Sequence, residues 1–409
     1  MEIRITGANT LLDGGLEVAP VHVSPADGVI SDVGSDRAAG RTIDADGLYL
    51  LPGIVDMHGD AFERQMMPRP GVNVALDVAL ADSDRQAVAN GITTVFHGVT
   101  WSWEPGLRGS ENARGILAGI ETMKPKLSAD TRYHLRHETF NLDAEPEVLD
   151  WVAARRVGAV AFNDHLPSSD SLAKRPDKIS QMVERAGIPR EDFLALVQRL
   201  HARREEVPVS ISRIAAEAGS NRVPLLSHDD ASPQQRQWFR GLGCRVSEFP
   251  VNIETATDAA NAGDAIVLGA PNVMRGKSHM GWVNAAEMVG RGLCSILASD
   301  YYYPAQLIAA FRLAEQGTAP LQTAWRLVSE TPARAMGQSA TTPRSTSGRS
   351  EASSSGPSVP ARRPWRSSIG RGVAGCITRP ARGGRSGRAG ASSRPAPRLP
   401  RRRAPCGRR

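Results

Sequence analysis

The sequence predicts an α/β protein: a TIM-type (β/α)8 barrel over residues 51–338, a small, incomplete β-domain over residues 1–50, and a disordered C-terminal tail over residues 339–409. Three features predict it. Between Leu50 and Gln338 short apolar runs alternate with helical stretches, the pattern of βα units on a parallel sheet. Ahead of them lie brief strand-like runs broken by Gly, Asp and Pro. Behind them the composition collapses onto Arg, Pro, Gly, Ser and Ala. A chain of 409 residues has room for one barrel of roughly 250 residues and a smaller unit beside it.

The barrel elements follow in order. Strands are expected at residues 53–58, 92–99, 133–139, 158–165, 223–228, 244–249, 265–269 and 294–299, eight in all. Helices fit between them. Residues 82–90 begin with Asp82 and Ser83 as candidate caps and stop before Gly91, where a glycine past the helix end is favoured. Residues 190–204 follow Pro189 and set Phe193, Leu196, Val197 and Leu200 on one face. The N-terminal strands, at residues 2–6, 17–23 and 28–33, are too few to bury a core of their own.

The net charge of +7 misleads until it is divided. Residues 339–409 carry 17 Arg, no Lys and one acid, Glu351, a net of +16; the body holds 33 basic and 42 acidic residues and is net −9. An acidic body offers no nucleic-acid surface. The tail also lacks the Lys and the interleaved aromatics of a nucleic-acid-binding segment. With so few apolar residues it cannot offset its ordering entropy, so it is expected to be disordered. Its dominant residues share GC-rich codons, which suggests an out-of-frame product in place of a native C-terminus. Cys244 and Cys294 are far apart and lie in or beside apolar runs, as reduced core cysteines do. No signal pattern opens the chain, and no apolar run approaches the roughly 18–20 residues of a membrane span. The expectation is a cytoplasmic protein with no membrane partner, and a homo-oligomer is compatible with it.

Polar, ligand-type residues recur where the apolar strands stop. His58-Gly59-Asp60 follows residues 51–57, and residues two apart in an extended strand point to the same side, so His58 and Asp60 can grip one ion. Glu138 closes the third strand, His165 the fourth, His228 the fifth and Asp300 the eighth. Each alone has an ordinary explanation, a hydrogen-bonded strand-end His or a helix-capping Asp. Their recurrence in one barrel pattern points to a metal centre at the C-terminal face. Imidazole with carboxylate suits a divalent transition metal, zinc first, manganese or iron as alternatives, as one or two ions. His97, His134 and His137 are weaker candidates. His137 alternates away from Glu138 and is expected to pack or hydrogen-bond outside the barrel, and His201 to face solvent.

The run Leu51-Pro52-Gly53-Ile54-Val55-Asp56-Met57-His58, with later strand-end His, His and Asp, resembles the amidohydrolase superfamily. Longer blocks narrow the likeness: Pro68-Arg69-Pro70, Leu135-Arg136-His137-Glu138, Asn163-Asp164-His165, Ser227-His228-Asp229-Asp230, residues 269–279 and Ser299-Asp300-Tyr301-Tyr302. Together they are similar to a family of ribosyl-triphosphate diphosphatases of the carbon–phosphorus lyase pathway, over roughly residues 1–338. The resemblance implies hydrolysis of a small-molecule ribosyl triphosphate to the 5-phosphate with release of pyrophosphate. It implies His58, Asp60, Glu138, His165 and His228 as metal ligands, Glu138 standing where other superfamily members use a bridging carboxylated lysine or a glutamate. Asp300 becomes the proton-handling aspartate. Developing charge on phosphate oxygens calls for nearby cations, and Arg69, Arg275, Lys277 and His279 are loop residues available for it. The family's usual C-terminal return to the small β-domain is unrecognisable here, so strands of residues 1–50 would expose edges. Two rival readings stand beside this one: another amidohydrolase reaction, cyclic amide hydrolysis or deamination, and an inactive protein whose Arg tail binds nucleic acid.

Overall fold

The computed structural model describes residues 1–26, 29–69, 71–276, 284–338 and 376–378. Seven short strands open the chain: β1 (Ile3–Thr6), β2 (Asn9–Leu12), β3 (Gly15–Val18), β4 (Val21–Ser24), β5 (Val29–Val33), β6 (Arg41–Asp44) and β7 (Tyr49–Leu51). They form two small sheets, one ordered β5-β4-β1-β6, the other containing β7-β2-β3. Their shared core is Ile5, Ala8, Val21, Val23, Ala45 and Leu50. The single strand expected at 17–23 is two, broken at Ala19-Pro20, because proline has no N–H to give to a ladder. Asp13-Gly14 makes the two-residue turn of the β2–β3 hairpin, the loop that Asp-Gly favours.

Of the tail the structure describes only β16 (Cys376–Thr378), which pairs antiparallel with β7. At that edge a tail segment supplies the partner that the sequence reading found missing. The rest of the tail lies outside the described residues.

Eight parallel strands then run in sequence order around a barrel: β8 (Ile54–Gly59), β9 (Ile92–Trp101), β10 (Asp130–Glu138), β11 (Ala159–Asn163), β12 (Leu225–His228), β13 (Val246–Glu248), β14 (Ala265–Gly269) and β15 (Ile296–Ala298). All eight coincide with the expected runs. Closure between β8 and β15 comes in two parts. At the C-terminal end Gly59 bridges Asp300, with Asp300 N donating to His58 O at 3.0 Å and Asp60 N to Asp300 O at 3.0 Å. Lower down, Leu327 and Val328 fill the gap, their carbonyls accepting from Leu297 N and Val55 N at 2.9 Å each.

Burial on both faces explains why the strands read as continuous apolar runs. The interior holds Val55, Met57, Phe96, Ala161, Leu226, Val246 and Ile296. Ala333 and Met336, from the end of the helical region, pack against this cluster. The outer faces pack on the helix ring in two larger clusters. The first expected helix is longer than predicted, Leu76–Ala89. Asp82 and Ser83 are therefore not caps: Asp82 accepts from Gln86 Nε2 at 2.8 Å, and Ser83 Oγ donates to Ala79 O at 2.8 Å. Such local bonds let both sit mid-helix. Gly91 takes the left-handed conformation expected just beyond the end (φ +79°). Helix Arg190–Ala202 buries Phe193, Val197 and Leu200, with Leu196 half-buried.

Behind the catalytic face Arg236 is fully buried and ties β12 to β13. Its guanidinium meets Asp230 and Asp264 at 3.2 Å each, and reaches Ser227 and the Cys244 carbonyl. Without Arg236, Asp264 keeps Arg240 at 2.7 Å, but the buried Asp230 keeps only the hydroxyls of Ser227 and Ser247 and loses its ion-pair partner. Arg236→Ala is expected to lower unfolding free energy by roughly 3–5 kcal/mol, read from denaturant midpoints. A shift under ~1 kcal/mol would mean the cluster is neutral to the fold.

Candidate active site

Each expected polar residue sits where a barrel strand ends, and most converge. His58 points inward from β8 and is 1% exposed. Its Nδ1 lies 2.9 Å from Glu248 Oε1, while His228 Nδ1 lies 3.1 Å from Glu248 Oε2. One buried carboxylate at the end of β13 therefore holds two imidazoles from β8 and β12. Burial would raise the Glu248 carboxyl, but the His58 and His134 charges beside it hold it well below the usual carboxylate range. With Nδ1–H directed at the carboxylate, Nε2 is the nitrogen each ring turns away from Glu248, and that of His228 faces Arg136 at 3.4 Å. The two rings stack 5.5 Å apart, and Phe249 sits edge-on to both, at 5.1 and 5.2 Å.

On the opposite side Glu138 and His165 form a pair. His165 Nδ1 is 2.6 Å from Glu138 Oε1, and its backbone N–H donates to Oε2 at 3.0 Å. Burial opposes both charges, but the pairing outweighs it and holds Glu138 at about 2 and His165 at about 9. His165 Nε2 lies 3.6 Å from Asp229, which is also 3.8 Å from His228 Nε2. Arg136 joins the two halves: its guanidinium lies 3.4 Å from Asp60 Oδ2 and 3.4 Å from His228 Nε2. Gly98 gives it room, since a Cβ there would come within 3.2 Å of Arg136 Cδ.

Asp300 enters through its backbone bridge to β8 and takes φ +57°. Asp229 (φ +57°) and Phe249 (φ +53°) adopt the same left-handed conformation. Non-glycine residues rarely do so, and such strain concentrates where surrounding structure fixes a site. Burial, with the Asp60 charge behind it, raises the Asp300 carboxyl to about 6.

The donor atoms of His58, His134 and Glu248 lie within 4.8 Å of one another, as do those of His165, His228 and Asp229. These groups contain three of the five ligands read from sequence. Asp60 and Glu138 belong to neither and are held instead by Arg136 and His165. Glu248 and Asp229 were missed, and His134, ranked low, is an inward residue with its Nε2 unpartnered. Alternation along β10 signals it: His134, Arg136 and Glu138 share one face. Glu248 carries the same signal as the others, a carboxylate where an apolar strand stops.

His137 packs on the outer face, fully buried, and burial lowers its imidazole to about 4. His97 is also buried, against Phe62. His201 departs from expectation: half-buried, it bonds the Pro167 carbonyl at 2.9 Å and packs on Phe140. Of the expected substrate cations, Arg275 is exposed, its guanidinium 3.5 Å from the Tyr301 hydroxyl. Arg69 is exposed in a turn with Val72. Lys277 and His279 lie outside the described residues.

Donor chemistry fits a divalent transition metal: four imidazoles, those of His58, His134, His165 and His228, and several carboxylates meet at one barrel mouth, with two imidazoles oriented by a shared carboxylate. No family model matches the chain. It is 31% identical over 346 residues to the alpha-D-ribose 1-methylphosphonate 5-triphosphate diphosphatase of Escherichia coli (strain K12), covering 82% of this chain and 88% of that protein. In fold it is similar to a Xaa-Pro dipeptidase with methionine bound in its active site, at TM-score 0.54 and 11% identity over 83% of this chain and 89% of that one. Molinate hydrolase is similar at TM-score 0.52 and 14% identity, over 82% and 85%. At these identities the two structures speak for the fold alone.

Proposed function

The chain belongs to the alpha-D-ribose 1-methylphosphonate 5-triphosphate diphosphatase family, and from that premise we propose that it cleaves this ribosyl triphosphate to the 5-phosphate and pyrophosphate. The observation that supports the reading is the convergence of His58, His165, His228, Glu138 and Asp60 on one barrel mouth with Asp300 beside them. Of these, His58, His165 and His228 would hold a divalent transition metal, zinc first, with Asp229 as an added donor, while Asp60 and Glu138, the other two ligands read from the sequence, are engaged by Arg136 and His165. When bound, such an ion supplies Lewis acidity, making water acidic enough to deliver hydroxide near neutral pH.

The chain's own residues account for the remaining work. Glu248 fixes the His58 and His228 rings in one tautomer, which directs both Nε2 atoms away from it, that of His228 toward Arg136. Asp300, ionised above about 6, accepts the proton that water loses as its oxygen adds to the α-phosphorus. The bond from that phosphorus to the bridging oxygen then breaks, and the electron pair leaves with pyrophosphate. Arg136 stands by with positive charge as the phosphoryl oxygens become more negative.

The test is pyrophosphate release from the ribosyl triphosphate by the purified protein, with a dihydropyrimidine as the competing substrate. Turnover of the cyclic amide with none of the triphosphate would overturn the reading in favour of another amidohydrolase reaction. A second measurement addresses Glu248. Glu248→Gln leaves one acceptor for two Nδ1–H groups, so metal affinity is expected to fall by about 10–100-fold, measured by competition with a chelator. Unchanged affinity would remove Glu248 from its orienting role.

A further inference from the structure

A cavity of about 130 Å³ adjoins Glu138 and His165, between the end of β9, the loop after it and helix Pro176–Ala186. No residue singled out for substrate contact from the sequence lines it. Three cations do: Arg108, Lys178 and Arg185. Lys178 has no ion-pair partner among the described residues. Arg185 spends its Nε on Glu104 at 2.6 Å, which leaves its terminal amino groups outside that bond. Arg108 binds Glu63 at 3.3 Å through one terminal nitrogen, while its Nε is buried without a partner.

The lining residues also carry polar atoms that are closed off from the space itself. Trp103 Nε1 and Thr100 Oγ1 are buried and unpartnered, as is Glu104 Oε2. Three side-chain cations, from the loop after β9 and from helix Pro176–Ala186, line one space beside Glu138 and His165, and that juxtaposition marks a built site. Two carboxylates, Glu104 and Glu138, also line it, but Arg185 engages the first and His165 the second, so positive charge is in excess and suits a ligand rich in acceptor oxygens and negative charge. At ~30 Å³ per water the space equals about four waters, below the ~300 Å³ of a pocket for a whole drug-sized ligand. It therefore takes one end of a substrate. Helix Pro176–Ala186 is braced there by its own small core, Ile179, Met182, Phe193 and Val197 with Trp103 packed against it.

We propose that this cavity is the leaving-group subsite: it receives the terminal pyrophosphate half of the triphosphate, with Arg108, Lys178 and Arg185 as its specificity-determining cations. The inference rests on the function proposed above. Placing three cations on the departing half neutralises charge that grows as the bridging bond breaks, and it selects polyphosphates over monophosphates.

Inorganic pyrophosphate is the probe, titrated calorimetrically into the protein as purified. Wild type is expected to bind it, and Lys178→Ala and Arg185→Ala each to weaken binding by about tenfold or more. Arg185→Lys should recover part of the loss. Lys178 is exposed, so its substitution leaves the fold intact and keeps the test clean. In turnover the same variants should lower kcat as well as raise KM, because the charge they meet on the departing half grows in the transition state. Unchanged pyrophosphate affinity in both Ala variants overturns the subsite even if wild type hydrolyses the triphosphate. Weakened affinity in a protein that releases no pyrophosphate from the triphosphate keeps the subsite as a polyphosphate site and overturns the assigned reaction instead.

Discussion

The His58→Ala/His228→Ala double variant is expected to emerge from purification without its metal and to lose on the order of 10³-fold or more in turnover. An orienting partner of a ligand costs about 10–100-fold, and two direct ligands removed together should exceed that. The geometry sharpens the expectation, because both rings hang on the same carboxylate, Glu248. Deleting them removes two ligand nitrogens and leaves a buried acid without its partners, a change that also costs stability. Circular dichroism on the variant separates the two effects, and single His228→Ala, with His58 still on Glu248, provides a milder control expected to lose part of the metal. Full metal occupancy in a folded double variant would sink the ligand assignment.

Much of this arrangement is legible in the amino-acid sequence. Parallel strands buried on both faces must read as apolar runs, so all eight barrel strands could be counted, and the polar residues that stop them stood out. What escaped notice did so for physical reasons. Glu248 ends a strand as Glu138 does, but the run Arg-Val-Ser-Glu-Phe-Pro around it holds no histidine to mark it as one of a ligand set. Asp229 joins the cluster only because its backbone turns into the left-handed region, which the run Ser-His-Asp-Asp does not announce. His134 and Arg136 were within reach, since the alternation that separates His137 from Glu138 also puts those two beside Glu138. The cavity cations were not: Arg108 sits in the loop after β9 and Lys178 on a helix some 70 positions later in sequence. Only the packing of helix Pro176–Ala186 against Trp103 brings them together. The small β-domain was read too sparsely because strands of three or four residues span no more than two periods of alternation, too few to stand out from a loop.

Asp300→Asn is expected to keep the metal and lose on the order of 10²-fold or more in turnover, the usual scale for a positioned proton acceptor. The substitution is clean for three reasons. Asparagine has nearly the shape of aspartate. It is also among the residues that tolerate the left-handed backbone found there (φ +57°). The bonds that tie Asp300 to His58 and Asp60 run through its main chain, so the barrel closure survives. What is lost is an oxygen able to take a proton: burial and the neighbouring Asp60 charge bring the carboxyl up to about 6, close to the working range of a general base, and an amide has no such capacity. Glu138→Ala provides the contrast. Its carboxylate binds His165 twice, so its loss should release metal and activity together. Metal analysis beside the pyrophosphate-release rate distinguishes the two outcomes. Equal metal loss in Asp300→Asn and Glu138→Ala would mean that Asp300 is a ligand and that the proton goes elsewhere.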